Sequence, residues 1–118
     1  MKFSDLEFKS HNVLRGASMA THTFANQWAI SVVTGHKLGG LYISAEKPYE
    51  VVIFLPNGEY LSDDIIPYQT EEDIDQMLEV ISRDDIVQKD VEEKFISDRY
   101  GWKWPADDYF RKRLFLAK

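Results

Sequence analysis

Apolar and polar positions alternate in the first half of the chain and then switch period near residue 70. Ser18–Phe24 (SMATHTF) and Trp28–Val33 (WAISVV) read as two strands flanking Asn26-Gln27, because Asn tolerates the left-handed backbone that a tight hairpin needs. Trp28, Ile30 and Val32 fall on one strand face and Ala29, Ser31 and Val33 on the other, so the first set is the predicted core face. His36–Gly40 (HKLGG) reads as a flexible turn and Leu41–Ile43 as a short strand. Tyr49–Leu55 (YEVVIFL) is rich in β-branched and aromatic residues and is the strongest predicted strand. Pro56-Asn57-Gly58 then signals a hairpin returning through Glu59–Leu61. The expectation is an antiparallel sheet of about four strands, with a short edge strand at Leu6–Phe8.

From Thr70 the period is helical. Thr70 is a good N-cap, and Glu71, Glu72 and Asp73 fill a first turn where the helix dipole favours anions. Ile74, Met77, Leu78 and Ile81 lie at i, i+3, i+4 and i+7, one apolar helix face. The pattern breaks over Ser82–Asp85. A second helix is predicted over Ile86–Asp98, with Val87, Val91 and Phe95 spaced by four and Gly101 as its stop. Pro105 suits the first turn of a short third helix holding Tyr109, Phe110 and Leu114. Strands followed by helices predict an α+β fold with the helices on one face of the sheet. The chain is expected to be a single domain over 1–118, a hairpin sheet to residue 69 and a helical part from residue 70.

Composition sets limits on this picture. A chain of 118 residues that is 44% apolar and 14% aromatic can bury a core without staples. It has no cysteine, which excludes disulfides and thiolate metal sites. No apolar run approaches the roughly 20 residues of a membrane helix, and MKFSDLEFKS lacks the apolar stretch of a signal peptide. These features predict a soluble cytoplasmic protein with no membrane partner.

Charge is distributed in blocks. Residues 59–98 hold fourteen of the twenty carboxylates against Arg83, Lys89 and Lys94, a net −11. Residues 1–58 are net +1 and residues 99–118 net +4, giving −6 overall. That total disfavours direct binding to duplex nucleic acid, where phosphates dominate affinity. The acidic block has two readings. One is the solvated face of two helices. The other is a surface of Asp75, Glu79, Asp85, Asp90, Glu92, Glu93 and Asp98 that imitates the charge density of nucleic acid and occupies the basic groove of a nuclease or polymerase. In the tail, Tyr100-Gly101-Trp102-Lys103-Trp104 interleaves aromatic and basic residues. Trp102 and Trp104 are candidate anchors on a protein partner, candidate stacking platforms for single-stranded bases, or indoles buried on the sheet. Arg111-Lys112-Arg113 is expected to meet the acidic helices, in the same chain or in a neighbouring subunit.

Catalytic and metal-binding patterns are sparse. His11, His22 and His36 are not at metal-ligand spacing and have no cysteine partner. Asp63-Asp64, Glu71-Glu72, Asp84-Asp85, Glu92-Glu93 and Asp107-Asp108 are adjacent pairs, whereas acid–base work needs one carboxylate desolvated beside another. Asp73 and Asp75 have the alternation of a calcium loop without its glycine and distal glutamate. Nucleophile elbows, phosphate-binding glycine loops and dinucleotide fingerprints are missing. The expectation is a protein without enzymatic activity, metal or cofactor.

Three stretches carry a resemblance. THTFANQWAISVV (Thr21–Val33), YEVVIFLPNGEY (Tyr49–Tyr60) and TEEDIDQMLEVI (Thr70–Ile81) resemble small uncharacterised proteins of tailed bacteriophages and prophages, over roughly residues 1–83. That group often has Asn-Gly at the first turn, where this chain has Asn26-Gln27. The resemblance implies a sheet of hairpins followed by an acidic helix, a phage or prophage origin, and residence in the bacterial cytoplasm. It brings no catalytic residue. The leading functional expectation is a small acidic phage-type binding protein that modulates a host protein, most concretely an inhibitor of a nucleic-acid-acting host factor. The alternative is a structural or self-assembling accessory protein, a homo-oligomer without enzymatic activity.

Overall fold

A computed structural model describes residues 1–11, 15–35, 42–61 and 65–97. It is an α+β fold: a five-stranded antiparallel sheet in the order β1-β2-β3-β4-β5, followed by helices. The strands are β1 (Lys9–Ser10), β2 (Ala17–Thr23), β3 (Ala29–Gly35), β4 (Tyr49–Phe54) and β5 (Ile66–Gln69). Helix α1 spans Glu71–Ile81, and α2 spans Gln88–Val91 and runs directly into a π-helical stretch, Glu92–Ser97.

The β2–β3 hairpin forms where the alternation predicts it, with Thr23 paired to Ala29 and Ala17 to Gly35. Gln27 takes the left-handed conformation at the turn, φ 78°. Asn26 does more than turn the chain. Its Oδ1 accepts the Trp28 N–H at 2.9 Å, and its Nδ2 donates to the carbonyls of Ile81 at 2.6 Å and Arg83 at 3.0 Å. The last carbonyls of a helix have no partner within it, so the hairpin turn serves as the C-terminal clamp of α1.

The core is one layer between sheet and helices. Val32, Val51 and Ile66 lie in register across three strands, with Ile30 beside Ile53 in the next row. Trp28, Ile30 and Val32 are buried as expected. Against them pack Ile74, Met77, Leu78 and Ile81 of α1, each fully buried, together with Val91 and Phe95. Thr70 caps α1 reciprocally: its hydroxyl accepts the Asp73 N–H at 3.1 Å and its own N–H donates to Asp73 Oδ2 at 2.9 Å. The opposite sheet face carries Met19, Val33, Val52 and Phe54, none of which belongs to this core.

The structure differs from the sequence reading at several elements. The edge strand is Lys9–Ser10 rather than Leu6–Phe8, where Leu6 and Phe8 instead pack against the core. Phe3, Phe8 and Tyr49 form an aromatic cluster with centroid separations of 5.0–6.1 Å. Tyr42 and Ile43 are in no strand, although the Tyr42 carbonyl accepts the Tyr68 N–H at 3.0 Å. The Pro56–Gly58 turn forms, with Gly58 at φ 86°, but its return arm reaches only a single bridge, Phe54 to Tyr60. Pairing along the same side of β4 resumes at β5, which takes the place expected for Glu59–Leu61, and the edge strand β1 brings the count to five. Pro67 hides β5 in the sequence, yet an edge strand tolerates proline because its donor is not needed there.

In the second helical segment Val91 and Phe95 are buried, but Val87 is 52% exposed. Val87 is the N-cap, with extended backbone (φ −120°, ψ 125°), so it precedes the helix instead of sharing its apolar face. Asp98, Trp102, Trp104, the His36–Gly40 turn, the predicted third helix and the Arg111–Arg113 run lie outside the described residues. Among the described residues, no helix is long and apolar enough to cross a membrane.

Candidate functional site

Once the apolar face of α1 is buried, its other positions are set by the helical period. Glu71, Glu72, Gln76 and Glu79 are exposed, and Asp75 is half-buried. The connection to α2 adds exposed Asp84 and Asp85, and α2 with its π-helical extension adds exposed Asp90 and Glu93. The bases within these elements are Arg83, Lys89 and Lys94. The ion pair among the described residues is Arg83 with Glu79, 2.8 Å, between side chains 53% and 71% exposed. Such a pair contributes little to stability and neutralises only one carboxylate of the acidic set.

The structure divides the carboxylates picked out in the sequence. Asp85, Asp90 and Glu93 are exposed with no described ion pair. Asp75 is engaged in the fold: its Oδ1 accepts the Phe3 N–H at 2.6 Å and ties the N-terminal 3₁₀ turn (Phe3–Asp5) to α1. Glu79 is held by Arg83, and Glu92, half-buried, accepts from Gln88 Nε2 at 3.1 Å. Glu71, Glu72 and Asp84 belong to the exposed acidic surface as well. The signal for them in the sequence is helical phase for Glu71 and Glu72 and the break between helices for Asp84. A recess of about 310 Å³ lies at the end of this surface, lined by Met1, Lys2, Asp75, Gln76, Glu79 and Ser82.

The other candidates find ordinary settings. His22 is half-buried on β2, its ring edge-on to Phe24 at 4.8 Å. Asp73, half of the supposed calcium-loop alternation, serves as the capping partner of Thr70. Among the described residues no group of three or more His, Cys, Asp or Glu is placed to hold a metal. Among the described residues, Tyr49 has a clearly displaced pKa, raised first by burial and second by the nearby charge of Glu71. Its surroundings are the Phe3–Phe8 cluster, a packing role. No protein-family model, curated protein or solved structure matches this chain.

Proposed function

We propose that this chain is a small acidic phage-type binding protein that acts in the cytoplasm of a bacterial host. It is not an enzyme, and it modulates a host protein, most concretely by occupying the basic groove of a nucleic-acid-acting factor. The observation that carries this reading is the exposed carboxylate surface of Glu71, Glu72, Asp84, Asp85, Asp90 and Glu93 on and between α1 and α2, with Arg83–Glu79 as its described ion pair. Carboxylates presented on a packed backbone steer a basic partner, and the backbone that carries them pays little ordering entropy when it docks. Trp102 and Trp104 enter the proposal from sequence alone, as aromatic anchors for the partner.

The test is capture of host proteins from bacterial lysate on the immobilised full chain. The expected partner binds nucleic acid, is released by duplex DNA, and is lost at high salt because screening removes the contact. The triple variant Asp85→Asn, Asp90→Asn, Glu93→Gln keeps shape and removes charge, and should capture much less of it. A partner retained equally by the variant, or indifferent to salt and DNA, overturns the acidic-surface reading.

A further inference from the structure

We propose that the outer edge of β2 at Thr21–Thr23 is a self-association site that pairs antiparallel with the same edge of a second copy of this chain. The phase of the strand is fixed at both ends. The His11 N–H donates to the Ala17 carbonyl at 2.8 Å on the outer side, and the Phe24 N–H donates to the Trp28 carbonyl at 2.8 Å on the β3 side. In an antiparallel strand these directions alternate, so residues 17, 19, 21 and 23 turn their main-chain groups outward. β1 pairs only with Ser18 and Met19. Beyond it, Thr21 and Thr23 are exposed and meet no strand among the described residues. A recess of about 360 Å³, lined by Glu7, Lys9, Ser10, Met19 and Thr21, lies beside this stretch.

Open edges are ordinarily blunted by shortness, charge, proline or irregular backbone. The rest of this sheet follows that rule. β1 is two residues long and carries Lys9. β5 carries Pro67 and a left-handed Tyr68 (φ 57°), and the Tyr68 N–H is taken by the Tyr42 carbonyl. The Ala20–Phe24 stretch has no proline, acid, lysine or arginine.

Its occupant follows from self-complementarity. A two-fold axis at His22 sets Thr21 of one copy against Thr23 of the other, twice, and forms four main-chain hydrogen bonds. It also aligns threonine with threonine, a favourable cross-strand pair. The gap is bounded at one end by Lys9 and Glu7, whose opposite charges offset each other, and at the other by the uncharged Ala25–Gln27 turn, so the same axis sets a charge-balanced segment against a turn that does not repel it. In a chain of net charge −6, this neutral edge is where two copies can approach. A contact of two residue pairs is well below the size of a standard interface, so the dimer is expected to be weak and to form only at high protein concentration. Salt should strengthen it by screening the mutual repulsion of two acidic chains, whereas salt weakens binding through the acidic helices.

The experiment is sedimentation equilibrium of the full chain from about 10 µM to about 1 mM, at low and high salt, with amide NMR spectra over the same range. The expected result is a monomer–dimer equilibrium favoured by salt, with the Thr21 and Thr23 amides shifting as dimer forms. Thr23→Lys puts charge on an exposed site and should weaken the dimer at least about ten-fold. Thr21→Pro removes an outward donor without touching the β3 ladder and should do the same. A chain that stays monomeric at the highest concentration, or a dimer that both variants leave intact, overturns the proposal. Neither result bears on host-protein capture, so the two readings fail separately.

Discussion

Replacing Asn26 with alanine tests how this fold joins its two layers. Three hydrogen bonds disappear at once: Trp28 N–H to Oδ1 at 2.9 Å, and Nδ2 to the carbonyls of Ile81 at 2.6 Å and Arg83 at 3.0 Å. The Arg83 bond is exposed, and water replaces it at little cost. The other two are partly buried, and each is worth about 0.5–1.5 kcal/mol net, more if the stranded group cannot reach water. Asn26→Ala should therefore destabilise the protein by about 2 kcal/mol. For a domain of this size that corresponds to a fall in Tm of roughly 6–12 °C. Asn26→Asp separates the contributions. It keeps an acceptor for Trp28, loses both donors, and places a negative charge at the C-terminus of α1, where the helix dipole disfavours it. It should be at least as destabilising as alanine. The assay is thermal and urea unfolding followed by circular dichroism, with Ala25→Ser in the exposed turn as a control. If Asn26→Ala moves Tm no more than that control, the hairpin turn does not clamp the helix and the reasoning fails.

Further expectations follow from the same geometry. Gln27→Gly should raise stability by about 0.5–1 kcal/mol, because relief of a left-handed side chain exceeds the added chain entropy; a fall in the urea midpoint would contradict it. Val91→Ala should cost about 2 kcal/mol or more, whereas Val87→Ala at an exposed N-cap should stay within about 0.5 kcal/mol; equal losses would show that the second helix starts earlier than Gln88. Tyr49 has a folded-state pKa raised above its unfolded value of about 10, so its contribution to stability is complete below about pH 10 and is lost as pH rises through the folded value. Tyr49→Phe should flatten the alkaline fall in unfolding free energy, and parallel curves for the two proteins would refute the burial argument.

Different elements were legible in the sequence to different degrees, for physical reasons. The β2–β3 hairpin and α1 were plain because local chemistry and global packing agree there. Trp28, Ile30 and Val32 alternate at the period of a strand, Ile74 to Ile81 repeat at the period of a helix, and Thr70 with Asp73 is a self-contained cap. β5 was not legible, since Pro67 argues against a strand everywhere except at an edge, and only the assembled sheet makes it an edge. Val87 misled because a spacing of four is necessary for a helix face but does not say where the helix begins. The exposed acids could be placed from helical phase on the helices and, for Asp84 and Asp85, from the break between them. The diversion of Asp75 to the Phe3 N–H could not, because the partner lies 72 residues away in sequence.

The sequence by itself determined the class of fold, the core face of the hairpin, the cap and phase of α1, and the concentration of negative charge between residues 59 and 98. Each of these depends on neighbours within one turn or one strand, or on composition. Only the folded chain places Thr21 and Thr23 beyond the reach of β1, leaves particular carboxylates exposed among the described residues, and brings a turn asparagine to the far end of a helix. Those outcomes depend on groups distant in the chain meeting in space, where hydrogen-bond donors and acceptors stranded by one element are satisfied by another.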